Sequence, residues 1–216
     1  MSSIPNTSTE LRPSYPKGKH TEESASTQAI ITGLGLQKHV EGGYFAEIDR
    51  NPLTIPNPFP ASSTAQTAQK PRSGDDSIRN ASTVIYYLLT PTTPQGHFHR
   101  NKARTVHTLI EGRGRYVLIH ADEDGKRKRV ESFVVGKNVS KGERSVWIVE
   151  GGKFKASFLL PMKGEEGDVE GDRLLISETV VPGFEFSDHD FLMEKTFGEL
   201  VTEEQRNDLG WLVRKE

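Results

Sequence analysis

Cysteine is absent from this chain. Disulfides, thiolate nucleophiles and cysteine-based metal sites are therefore excluded. No apolar run approaches the ~18 residues that mark a membrane-spanning helix, and the first residues lack the charged-then-apolar pattern of a secretory leader. The expected address is the cytoplasm, with no membrane partner. An excess of one charge is missing too: 28 Lys and Arg stand against 30 Asp and Glu, for a net charge of −2. Without a broad basic field, nucleic acid is not an expected partner. The one basic run, Lys126-Arg127-Lys128-Arg129, follows Asp122-Glu123-Asp124-Gly125 and reads as a solvated hairpin tip.

Hydrophobic residues are also scarce, at 33%, but the shortage is local. The first 28 residues and the stretch Asn51 to Asn80 are rich in Ser, Thr, Pro, Gln and charge, and they dilute an otherwise ordinary core sequence. A length of 216 residues suits one all-β domain with terminal extensions, or two very small domains. Residues 1–28 read as a flexible tail. Residues 51–80, with Pro52, Pro56, Pro58, Pro60 and Pro71, read as a long surface loop or disordered insertion.

Outside those stretches the pattern is regular. Ser24 or Ser26 caps a short helix through Gln28-Ala29-Ile30-Ile31, ended by Gly33 and Gly35, and a strand follows at Tyr44 to Arg50. Short apolar runs then recur about every ten residues, as in an antiparallel sandwich or barrel. They are Val84 to Thr90, Val106 to Ile110, Arg115 to His120, Val130 to Val135, Ser145 to Val149, Lys155 to Leu160 and Leu174 to Val181. Glu111-Gly112-Arg113-Gly114 and Asp124-Gly125 read as hairpin turns, and no helix follows Gly112 and Gly114 to make a phosphate loop. Past Pro182 the chain is expected to turn helical, with Asp188 or Asp190 capping Phe191-Leu192-Met193, and Thr202 to Gln205 opening a tail helix in 201–216.

The chemistry concentrates between Gly96 and Gly112, where His97, His99 and His107 stand with Arg100 and Arg104 on two successive strand-like segments. Alternation puts His97 and His99 on one face of a strand, where two imidazoles can hold a metal, an anion or a proton. The same rule groups His107 with Thr105 and Leu109, and sets Arg104 on the opposite face unless a bulge intervenes. Glu41-Gly42-Gly43 reads as a turn needing positive φ, with Glu41 near the pocket. Trp147 and Phe158 suit the lining of a barrel. His20, His120 and His189 stand in solvent-like contexts and receive no role.

His39-x-Glu41-Gly42-Gly43-Tyr44-Phe45, Ile85-Tyr86-Tyr87-Leu88-Leu89, Phe98-His99-Arg100 and Val180-Val181-Pro182-Gly183-Phe184 resemble the signatures of the type-5 cupins. These are RmlC-like jelly rolls long catalogued as a domain of unknown function. The resemblance covers roughly Leu34 to Phe191, and Phe154 to Pro161 is most similar to an uncharacterised fungal branch. It implies a cupin double-stranded β-helix with short flanking helices over 29–200, a small-molecule pocket inside the barrel, and a homodimer in which the strand Tyr44 to Arg50 lies across the partner's sheet. It implies no substrate.

Cupins at large often hold a divalent metal through two motifs. Here His97 and His99 fit the histidine pair, but Arg104 falls at or beside the carboxylate position and Lys155 at that of the last histidine. Two cations in place of two ligands repel a divalent ion, so no cofactor is expected; His97 and His99 would be the ligands if a metal were present. Arg104 and Lys155 suit an anionic ligand instead, with Glu41, Tyr44, Trp147 and Phe158 also around it. Without a bulge, Arg104 would serve a salt bridge across the dimer. His99 and His107 would act as base and acid, with Tyr87 opposite. The leading expectation is a metal-independent isomerase or epimerase acting on a small polar or anionic metabolite, such as a sugar derivative. Beside it stand a non-catalytic binding cupin and a metal-dependent oxygenase or lyase built from His97, His99 and His107.

Overall fold

A computed structural model describes residues 4, 7, 11–16, 18–59, 70–162 and 171–215. Among these the elements run α1 (Ala25–Gly33), β1 (Gln37–Lys38), β2 (Tyr44–Arg50), β3 (Thr54–Pro56), β4 (Ile78–Asn80), β5 (Thr83–Leu89), β6 (Gln95–Asn101), β7 (Arg104–Gly112) and β8 (Gly114–Ile119). Then follow β9 (Val130–Val135), β10 (Val146–Val149), β11 (Phe154–Leu159), β12 (Leu174–Val181), β13 (His189–Phe191), α2 (Glu194–Leu200) and α3 (Glu203–Leu209). The strands form a six-stranded sheet, β1-β2-β5-β12-β7-β10, a five-stranded sheet, β13-β6-β11-β8-β9, and a two-stranded ribbon, β3-β4. The expected all-β architecture with short flanking helices is the one the chain adopts. No helix among the described residues is long and apolar enough to cross a membrane.

Alternation along each strand sorts side chains between layers. Tyr87, Leu89, Leu109, Tyr116, Phe133, Trp147, Leu159, Leu174 and Ile176 form a core drawn from both large sheets. The neighbouring positions Leu88 and Leu175 pack with Ile31 and Leu36 at α1. Phe98, Val117, Phe154, Ala156 and Phe158 of the five-stranded sheet pack with Phe197, Val201, Leu209 and Leu212 of the C-terminal helices. Phe158 therefore belongs to an outer core, edge-on to Trp211, and not to a barrel lining.

Several expectations need correction. Glu111 to Gly114 does not close a hairpin: β7 and β8 lie in different sheets, so the turn carries the chain across the sandwich. Asp124-Gly125 does lie in the β8–β9 connection, with Gly125 at φ 99°. Asp188 and Asp190 cap nothing; residues 189–191 add a strand to β6, and α2 starts only at Glu194. The stretch 51–80 is not wholly loop, because β3 and β4 pair within it; residues 60–69 lie outside the described residues. The ribbon is anchored by Arg79, which is buried and bonds Asp188 through Nε at 2.6 Å and a terminal nitrogen at 3.1 Å. The basic run is not merely solvated, since Arg127 donates to the carbonyls of Gly198 and Glu199 in the last turn of α2.

Candidate functional site

A cavity of about 700 Å³ opens beside β2, and its wall includes His39, Glu41, Phe45, His99, Asn101, Lys155, Glu178 and Phe184. Glu41 reaches it from the turn between β1 and β2. Gly42 and Gly43 adopt φ 105° and 72°, the positive values the Glu-Gly-Gly pattern predicts. A Cβ on Gly42 would stand 2.1 Å from the Gln95 carbonyl oxygen, so only glycine lets the turn press against β6. The His97 amide donates to the Glu41 carbonyl at 2.7 Å, and the Tyr87 hydroxyl donates to the Gly42 carbonyl at 2.9 Å. The carboxylate thus sits on a rigid base.

Strand β6 supplies His99 and Asn101. Lys155 of β11 pairs with His99 and Ser157 pairs with Gly96, so one residue on β11 opposes two on β6. That bulge breaks the alternation that would have kept His97 and His99 together. His99 lines the cavity, whereas the His97 ring approaches the Glu41 carbonyl oxygen through Nδ1 at 2.9 Å and the Gln95 amide through Nε2 at 3.2 Å.

Two buried polar clusters result. In the first, Lys155 Nζ donates to Glu178 Oε2 at 2.7 Å and to His107 Nε2 at 2.9 Å. Burial opposes the charge on Glu178, but Lys155 and His107 outweigh it and hold the carboxyl far below its usual range. Burial, reinforced by Lys155, pushes the His107 pKa down, so the ring stays neutral. In the second cluster, His189 Nε2 lies 2.8 Å from Glu41 Oε1, and His99 Nε2 lies 3.3 Å from Glu41 Oε2. His39 Nδ1 stands 3.5 Å from the same Oε2. Burial pushes the His99 pKa down to about 3. The surrounding imidazoles outweigh burial at Glu41 and keep it ionised.

Three of the expected site residues, Glu41, His99 and Lys155, meet at the cavity. His107 and Trp147 stack on each other behind Lys155, with ring centroids 5.0 Å apart, and neither is in the wall. Tyr87 is sealed in the core, where burial and then Glu41 and Glu178 raise its pKa, so it is not placed to exchange a proton with a ligand. Tyr44 points away, donating to Glu23 and packing beside α1. Arg104 falls on the outer face and pairs with Glu150 of the same chain at 3.4 Å, both side chains about half exposed. His189 and His120, assigned to solvent-like contexts, are buried; His120 sits in a network with Glu123, Glu131 and Arg129. His39, His189 and Glu178 are titratable site residues that sequence reasoning missed. The inward phase of β12 signals Glu178, flanked at alternate positions by Ile176 and Val180.

The fold has counterparts among known proteins. Residues 28–192 match the family described as the cupin superfamily (DUF985). The chain belongs to that family. An uncharacterised protein of Saccharomyces cerevisiae is 44% identical over 206 residues, covering 93% of this cupin and 92% of the yeast chain. Among solved structures, a hypothetical protein from Leishmania major superposes with a TM-score of 0.66 at 26% identity, over 89% of this chain and all of its own. A protein from Shewanella oneidensis gives a TM-score of 0.63 at 21% identity, over 90% of this chain and all of its own.

The metal set found in many cupins does not fit this member. His97 turns to the Glu41 carbonyl, Arg104 lies outside, and Lys155 is a hydrogen-bonded ammonium with no lone pair to offer. The expectation that two cations face the cavity is half right, because Lys155 does and Arg104 does not.

Proposed function

We propose that the cavity binds a small anionic metabolite on Lys155 and moves a proton on it, as an isomerase or epimerase does. The observation that carries this reading is the state of the Lys155 side chain. It is buried in the cavity wall, and its ammonium has three N–H donors, of which Glu178 and His107 take two. The third is left for a ligand oxygen. A desolvated, fixed cation is the group that stabilises negative charge developing beside a carbonyl when a proton leaves the adjacent carbon. Glu41 and His99 provide the lone pairs on the same cavity wall that can accept that proton. Phe45 and Phe184 supply apolar wall.

The test is native mass spectrometry of the full chain, followed by incubation of the bound or matched metabolite in deuterium oxide. The expected result is a small anion bound one per chain and deuterium entering the ligand at one carbon. K155M should weaken its binding about 100-fold, equivalent to about 2.7 kcal/mol. Binding unchanged in K155M overturns the assignment of Lys155. Tight binding without deuterium exchange overturns the catalytic part and leaves a binding protein.

A further inference from the structure

We infer that the ligand of this cavity is an elongated metabolite with an oxyanion at each end, one on Lys155 and the other on Arg72 at the cavity mouth. The Lys155 end rests on the proposed function; the Arg72 end stands on its own geometry.

Strand register sets the spacing. Glu178 of β12 and Glu47 of β2 both pair with Ile85 of β5, and all three line the cavity. Two strand spacings therefore separate the backbones that carry the two carboxylates, about 10 Å, with Ile85 as the floor between them. Each carboxylate holds a cation. Lys155 Nζ donates to Glu178 at 2.7 Å, and a terminal nitrogen of Arg72 donates to Glu47 at 3.1 Å. A bulge after Glu47 adds one residue to β2, so Arg50 lands on the same side as Glu47 and pairs with it.

Imidazoles aside, the wall carries four cations, Arg50, Lys70, Arg72 and Lys155, and four carboxylates, Glu41, Glu47, Glu178 and Glu185. Their formal charges cancel, so no net field draws an anion, and the donors left over decide where one sits. Arg50 has none: its five N–H groups go to Glu47 twice, to Glu185, to Asn80 and to the Phe184 carbonyl. It braces β2 against the segment after β12. Arg72 spends only one of its five side-chain N–H groups among the described residues. Its backbone is nevertheless fixed, since the Arg72 amide donates to Glu185 Oε2 at 2.8 Å and the preceding Pro71 is buried. A guanidinium anchored in this way presents a planar fork of donors, the arrangement that suits an oxyanion. Lys70, two residues away and exposed, adds a second cation at the same edge. Between the two ends, Phe45, Ile85, Val180 and Phe184 give the ligand an apolar path, and a cavity of about 700 Å³ has room for a molecule that spans both.

The probes are straight-chain dicarboxylates of about four to twelve carbons and monocarboxylates of equal length, titrated calorimetrically into the full chain. Affinity should peak at about seven to nine carbons, the length of an extended chain that reaches across about 10 Å. At that length the diacid should bind about 10-fold more tightly than the monoacid. R72A, a change at an exposed side chain, should remove this advantage and leave the monoacid unchanged, whereas K155M should weaken both. No measurable binding of any diacid, no length optimum, or an advantage that survives in R72A overturns the inference. Monoacids that need Lys155 but gain nothing from a second carboxylate overturn it too, and leave the proposed function standing. A diacid advantage that needs Arg72 but not Lys155 overturns the Lys155 anchor, and the proposed function with it.

Discussion

The two polar clusters at the cavity are equally buried and chemically opposite. Around Lys155 every charge meets its complement: the ammonium donates to Glu178 and to the neutral His107, and what is left over is one ammonium N–H and the buried His107 Nδ1. Around Glu41 the balance is reversed, with the imidazoles of His39, His99 and His189 all within 3.5 Å of one carboxylate. A closed cluster fixes its charges in place. The Glu41 set instead keeps a carboxylate and the His39 and His99 rings in the cavity wall, where a ligand can meet them. Similar residue types at similar depth thus serve different ends, and the difference lies in donor count.

The largest effect should come from breaking the closed cluster. E178A leaves the Lys155 ammonium buried without its carboxylate, and removal of one member of a buried pair costs about 3–5 kcal/mol. Urea unfolding at neutral pH measures it. A loss below about 1 kcal/mol would mean that Lys155 is not held there as a buried ion, and the contrast with the Glu41 cluster would collapse.

A smaller effect is expected from acid. His107 faces Lys155, Glu178, Tyr116 and Trp147, and its folded pKa lies below the ordinary 6.5 because burial and then Lys155 disfavour its charge. The unfolded chain therefore takes up a proton at a pH where the folded chain does not. This contribution is complete above about pH 6.5 and is lost as pH falls below it. Glu178, also depressed, adds a second loss as pH falls below its ordinary 4.5. The urea midpoint should fall below pH 6.5, and less steeply between pH 6.5 and 5 in H107Q than in the wild type. Equal slopes would show that His107 does not titrate differently on unfolding.

Much of the fold was legible because strands announce themselves by short apolar runs between turn residues. The runs Val84–Thr90, Val130–Val135 and Leu174–Val181 differ by at most a residue or so from β5, β9 and β12. The helix caps at Ser24 and Thr202 were visible for the same local reason. Sheet membership was not, since Gly112-Arg113-Gly114 looks the same whether the next strand returns to its neighbour or crosses the sandwich. Within the site, His107 followed from its phase with Leu109, and both are buried. The bulge that parts His97 from His99 is set by the pairing of β6 with β11, about sixty residues away in sequence, and no local pattern encodes it. His189 stayed hidden because Ser-Asp-His-Asp reads as surface, and its burial depends on the distant Arg79.

The smallest effect should come from Arg104, and its smallness is informative. By sequence it rivals Lys155 as the anion-binding cation, and Arg has the better geometry for a carboxylate. In the fold it lies on the outward phase of β7, about half exposed and paired with a similarly exposed Glu150. Exposed pairs of this kind contribute 0–1 kcal/mol, so R104A should stay within about 0.5 kcal/mol of the wild type. Anion affinity should be unchanged, in contrast to the ~100-fold loss expected for K155M. Calorimetric titration of both variants with the same anion decides it. Equal losses would mean that the outer face of β7 takes part in binding, and the division between a cation held at the cavity and one on the surface would no longer hold.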